Sequence, residues 1–168
     1  MKFLSRFIII IFICLSFFFC VYNNVQAEET KLLTATITKV PQSFFGTWRV
    51  ASKRIDTDAE SIFKENSIDI WNLSKTFDVI TLSNPFNGAK AEIILDRVDS
   101  NYIVFTKQGK YGKKVLTDTV EIKLEGDTFV GTDTLKIDTY SEGKITKTQS
   151  AKYYLNGEKI AGGNILGE

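Results

Sequence analysis

The stretch FFGTWRV, Phe44 to Val50, sets two aromatics against a glycine, a threonine and a tryptophan just before the chain enters alternating residues. Read as a strand from Gly46, it places Trp48 and Val50 on one face and Thr47, Arg49 and Ala51 on the other, because successive strand side chains point to opposite sides. A ring as large as Trp48 at the start of a strand needs a closed end to fill. Gly46, without a Cβ, lets the chain pass close beneath it. Gly46 and Trp48 are therefore expected to close one end of a β-structure.

Outward from this stretch, alternating runs separated by turn residues predict strands near 46–55, 67–73, 76–83, 89–98, 102–108, 114–125, 128–140 and 144–155. The punctuation has named turn chemistry: Asn84-Pro85 with Asn87-Gly88, Asp99 to Asn101, Gly109 to Gly112, Gly126-Asp127 and Glu142-Gly143. Short turns between sequential strands give an up-and-down antiparallel meander, and about eight strands can close into a barrel without exposed edges. The expected fold class is all-β with one short helix after the first strand, over 57–65, where Thr57 and Glu60 have the spacing of a capping box and Ile62 and Phe63 form the apolar contact. Residues 28–43 read as an N-terminal arm or extra edge strand, 44–156 as the barrel domain, and the glycine-rich 157–168 as a flexible tail. Trp71, Phe77, Phe86, Phe105 and Phe129 are expected in the core.

The first 27 residues read as a secretory signal: Lys2 and Arg6 precede the apolar run Phe7 to Val21, and Val25-Gln26-Ala27 offers small residues at a cleavage site. The run is 15 residues long, shorter than the ~17–25 a spanning helix needs. Phe17 to Phe19 lack the small residues that lipid attachment at Cys20 would call for. The mature chain would be secreted or periplasmic, without a membrane span. Both cysteines, Cys14 and Cys20, leave with the signal, and the sequence contains no histidine. Histidine- or cysteine-dependent nucleophilic catalysis and Cys/His metal sites are thereby excluded. Without Lys2 and Arg6 there remain 19 basic and 20 acidic residues, a net charge of −1, which implies no nucleic-acid partner. No cofactor and no metal are called for, and the domain is expected to be a monomer.

Phe44-Phe45-Gly46-Thr47-Trp48-Arg49-Val50 resembles the opening of the calycin superfamily, the lipocalins and cellular fatty-acid-binding proteins, whose first strand begins with Gly-x-Trp. An upstream aromatic and a basic residue after Gly-Thr-Trp are closest to the fatty-acid-binding branch. The resemblance implies a lipocalin-like barrel around an interior ligand. Departures are specific. There is room for one short helix rather than the fatty-acid-binding pair, and for about eight strands rather than ten. The later Thr-Asp-Tyr-like lipocalin motif is absent, and no arginine follows Arg97 to pack on the tryptophan.

Hairpin register brings candidate site residues together. A two-residue turn at Gly126-Asp127 sets Val120 opposite Asp133 and Asp118 opposite Leu135, making Asp118 and Asp133 diagonal neighbours on a largely apolar face. The same argument at Glu142-Gly143 sets Asp133 opposite Lys152 and Gly131 opposite Tyr154, with both approaching Trp48. Lys152-Tyr153-Tyr154 then resembles the Arg-x-Tyr that holds a fatty-acid carboxylate in the fatty-acid-binding proteins. A single bulge would reverse this face, turning Ile145, Ala151, Tyr153 and Leu155 inward and Lys152 into water. The ligand-binding candidates are Trp48, Asp118, Asp133, Lys152 and Tyr154.

Two functions follow: an exported barrel holding a small apolar or amphipathic molecule, or a filled, ligand-free barrel acting through its surface as an envelope-interaction or inhibitor protein. An enzyme working through Asp118 and Asp133 alone is not expected, because no motif surrounds those acids.

Overall fold

Where alternation and turn chemistry agree, the chain forms strands, and a computed structural model describes them over residues 39–162 and 164–166. The strands are β1 (Gly46–Thr57), β2 (Asn66–Thr76), β3 (Val79–Ser83), β4 (Lys90–Glu92), β5 (Ile94–Val98), β6 (Tyr102–Tyr111), β7 (Lys114–Glu125), β8 (Thr128–Ser141), β9 (Lys144–Ala161) and β10 (Asn164–Leu166). β1 to β9 pair antiparallel in the spatial order β4-β3-β2-β1-β9-β8-β7-β6-β5, and β10 adds to β2 in parallel. Only Ile93 separates β4, paired with β3, from β5, paired with β6. The Ile93 N–H donates to the Ile80 carbonyl at 3.0 Å. One kinked segment thus bridges the two edges of the path, nearly closing a barrel of eight staves.

The two ends differ. At the end where β1 begins, a 3-10 turn over Gln42–Phe44 tucks Phe44 and Phe45 into the core, each about 1% exposed. Trp48 is buried against Phe129, ring centroids 5.2 Å apart, and its indole N–H donates to the Phe44 carbonyl at 3.0 Å. Gly46 has φ +135°, and a Cβ there would lie 2.6 Å from the Ala161 carbonyl oxygen. FFGTWRV is therefore a plug and the strand that leaves it, with glycine required where β1 and β9 cross closely. Gly157 serves the same end, since a Cβ on it would lie 2.1 Å from the Phe129 ring. Lys159 donates to the Ser43 carbonyl at 2.7 Å and holds its ammonium 4.8 Å from the Trp48 ring centroid. These contacts carry β9 through Ala161, beyond the boundary at 156 expected for the barrel. The segment expected to be a signal, 1–27, and residues 28–38 of the arm expected over 28–43 lie outside the described residues.

At the other end gather the 58–65 turn, the 84–89 loop and the Gly112-Lys113 turn. The helix expected over 57–65 is a turn, in which the Ile62 and Phe63 amides both donate to the Ala59 carbonyl, at 3.0 and 3.3 Å. Thr57 ends β1, its Oγ1 accepting from Ala59 N–H at 3.0 Å and its hydroxyl donating to the Ser150 carbonyl at 2.8 Å. Asp58 accepts from the Ser150 amide at 2.7 Å, and Arg54 donates to the Glu60 and Phe63 carbonyls. A single helical turn fixes several dihedrals for one hydrogen bond, and these cross-chain bonds satisfy the same groups in another conformation. Phe63 is buried, while Ile62 is 45% exposed.

Of the aromatics expected inside, Phe105 and Phe129 are buried and Trp71 partly so. Phe77 and Phe86 are not, at 70% and 83% exposure. Phe77 occupies a two-residue hairpin turn with φ +50°, and Phe86 lies in the 84–89 loop. Both follow turn geometry that holds the side chain away from either sheet face.

Candidate functional site

The β7–β8 register is the expected one, with Val120 opposite Asp133 and Asp118 opposite Leu135. Leu116, Asp118, Val120 and Ile122 therefore face the interior with Phe129, Asp133, Leu135 and Ile137. β9 differs. Its pairing with β8 shifts between Thr139 and Tyr140, leaving Thr146 as the extra residue, and from there Asp133 meets Tyr153 instead of Lys152. Ala151, Tyr153 and Leu155 enter the core, with Leu155 fully buried. Lys152 is exposed, and Tyr154 is 45% exposed on the outer face. Burying a leucine-sized side chain contributes about 1.5–3 kcal/mol, and the bulge buries Leu155 together with Tyr153 and the smaller Ala151 while keeping an ammonium in water. The Lys152–Tyr154 head-group pair is thus absent from the interior.

In its place stands a layer of polar side chains that the same alternation supplies from four strands. Asp69 on β2 is in phase with Trp71 and Leu73, and Lys107 on β6 with Ile103 and Phe105. Asp118 and Asp133 complete the layer from β7 and β8. Lys107 and Asp118 are ion-paired, their side chains 22% and 5% exposed. Burial pushes the Lys107 ammonium below its ordinary value, against the pull of Asp133 and Asp69. Burial also raises the Asp133 carboxyl to about 6, with Lys107 opposing the shift. Asp69 Oδ1 accepts from the Ile70 amide at 2.9 Å and from the Asn84 side chain. Asn84 is itself buried and accepts from the Phe86 amide at 2.9 Å, tying the 84–89 loop over the barrel mouth.

Two interior spaces adjoin this layer. A mouth cavity of about 350 Å³ is lined by Trp71, Leu82 and Leu116 on its apolar side and by Asp69, Lys107 and Asp118 on its polar side, with the exposed Tyr111 and Lys90 at the rim. The volume is near the lower end of the ~300–1,000 Å³ common for ligand pockets. A smaller space of about 240 Å³ lies under the 58–65 turn, between Phe63, Asp133, Leu135 and Tyr153. There the Tyr153 hydroxyl donates to the Lys64 carbonyl at 2.9 Å. Trp48 lines neither cavity; its neighbours are the aromatic plug and Lys159.

Among the described residues, two carboxylate oxygens in this layer, Asp118 Oδ1 and Asp133 Oδ1, are buried without a hydrogen-bond partner. No three acidic side chains among those residues gather closely enough to hold a metal ion. Lys107 and Asp69 were not singled out from the sequence, although strand phase alone would have found them, and Tyr153 was placed inward only in the register with a bulge. Comparison with protein-family models, curated proteins and solved structures returned no match, so the functional reading rests on the site's own chemistry.

Proposed function

We propose that the chain is an exported, calycin-like barrel that holds a small amphipathic molecule in its mouth cavity. The observation that carries this reading is a space of about 350 Å³, apolar on one wall and charged on the other, in a barrel whose opposite end is stoppered by Phe44, Phe45 and Trp48. A pocket with an apolar body and a few fixed polar groups buries a ligand's hydrocarbon while orienting its head. Lys159 above Trp48 supports the calycin reading, since it supplies the basic residue on the tryptophan that no arginine after Arg97 provides.

The test is titration of the mature protein with alkyl-chain probes, read by quenching of Trp71 and compared with Trp71→Phe. Saturable one-to-one binding at tens of micromolar or tighter, roughly −6 kcal/mol, that is lost in a cavity-filling Leu116→Trp supports the reading. N-terminal sequencing of exported protein should find Glu28 first.

One observation favours a surface role instead. An outer groove of about 560 Å³ runs over Ala51 between Ile68 and Tyr154, with Ile68 75% exposed. Absence of probe binding, together with self-association or partner capture lost on Ile68→Lys, would select that reading.

A further inference from the structure

The interior layer has a charge imbalance. Among the described residues, Asp69, Asp118 and Asp133 stand against one cation in this layer, Lys107, and two of the three carboxylates retain a buried oxygen without a hydrogen-bond partner. The other cations nearby are accounted for: Arg54 donates to the carbonyls of the 58–65 turn, and Lys90 and Lys64 are exposed, where water screens them. A buried carboxylate oxygen without a donor is costly, and the missing partner must be a hydrogen-bond donor. Asp118 is 4% exposed, lines the mouth cavity and uses only Oδ2 on Lys107. The Asp118 carboxylate thus borders the mouth cavity with half of its hydrogen-bonding capacity unused, and a molecule there would present its donor to this carboxylate while Trp71, Leu82 and Leu116 take up apolar surface.

We infer that the molecule held in the mouth cavity carries a cationic hydrogen-bond donor, a primary or secondary ammonium on a short apolar body, whose N–H groups are received by Asp118 with Asp69 beside it. This rests on the proposed binding function and specifies its ligand class. An anionic head inside would meet two carboxylates in the cavity wall, with Lys107 already held by Asp118 and Lys90 exposed out at the rim. A hydroxyl head could donate one hydrogen bond but would leave the excess negative charge uncompensated.

The test uses three probes with one common alkyl tail, ending in an ammonium, an alcohol or a carboxylate, titrated into the full mature protein. The ammonium probe is expected to bind at least tenfold more tightly than the alcohol, and the carboxylate most weakly. Asp118→Asn should remove the ammonium preference, and Lys107→Met, which removes the competing cation, should strengthen ammonium binding. The probe series on unsubstituted protein keeps the test valid if either variant fails to fold. Carboxylate binding that is tightest and lost in Lys107→Met would overturn the ammonium assignment, as would equal binding of alcohol and ammonium; either leaves the binding barrel standing. Failure of all three probes at tens of micromolar would overturn the binding reading and this assignment together.

Discussion

Asp133→Asn should make the protein more stable at neutral pH, and the size of the gain follows from the burial of this one carboxyl. Asp133 is 8% exposed, and its carboxyl titrates near 6 in the folded chain against an ordinary 3.8. Because the folded-state value is raised, the folded protein binds more protons than the unfolded chain between about pH 4 and pH 6. Stability therefore falls as pH rises through that window and stays reduced above it. A displacement of about two units at ~1.4 kcal/mol per unit corresponds to about 3 kcal/mol. Asparagine has nearly the same shape and no charge to desolvate. The variant should match the unsubstituted protein below about pH 4 and exceed it by up to about 3 kcal/mol above about pH 7. Urea unfolding at several pH values, followed by tryptophan fluorescence, measures the difference. The comparison between the two proteins cancels carboxylates that titrate the opposite way, such as Asp138, which hydrogen bonds from Thr148 and Lys136 hold below its ordinary value. Equal pH slopes, or a variant less stable at neutral pH, would instead show that Lys107 fully compensates the Asp133 charge.

Trp48→Ala should cost about 3–5 kcal/mol in urea unfolding, because it empties the plug between Phe44 and Phe129; a loss under ~1 kcal/mol would contradict a buried barrel-closing role. Gly157→Ala should destabilise by about 1–3 kcal/mol, since the added methyl overlaps the Phe129 ring, and near-UV circular dichroism should report the disturbed aromatic cluster. Lys152→Ala should change stability by less than ~0.5 kcal/mol, whereas Tyr153→Phe should lose about 1 kcal/mol with its bond to the Lys64 carbonyl. The reverse order would restore the register without the bulge.

Much of the barrel was legible in local sequence. Period-two alternation and glycine-containing turns place the strands, and the Gly126-Asp127 turn alone sets the β7–β8 register, because a two-residue hairpin leaves no freedom in pairing. Gly46 and Trp48 announced a closed end for the same local reason. What local sequence left open or missed was settled by packing. The Glu142-Gly143 hairpin begins in the two-residue register and leaves it at Thr146 by the bulge that was the alternative reading, burying Ala151, Tyr153 and Leu155 while Ile145, ahead of the bulge, stays exposed. The 57–65 segment has helix-capping residues, yet Ser150, brought in by β9, and Arg54, on the strand just before it, satisfy its polar groups as a turn. Lys107 and Asp69 could be assigned to interior faces by phase, and the Gly112-Lys113 turn sets Lys107 directly opposite Asp118, but bringing Asp69 of β2 to the same space required the barrel to curve. Sequence by itself determined the alternation, the turns and the plug, all governed by neighbours along the chain. Only the folded barrel settled the slip of β9 and the approach of Asp69 to Lys107 and Asp118, because the first depends on which face the closed interior can bury and the second on strands far apart in the chain.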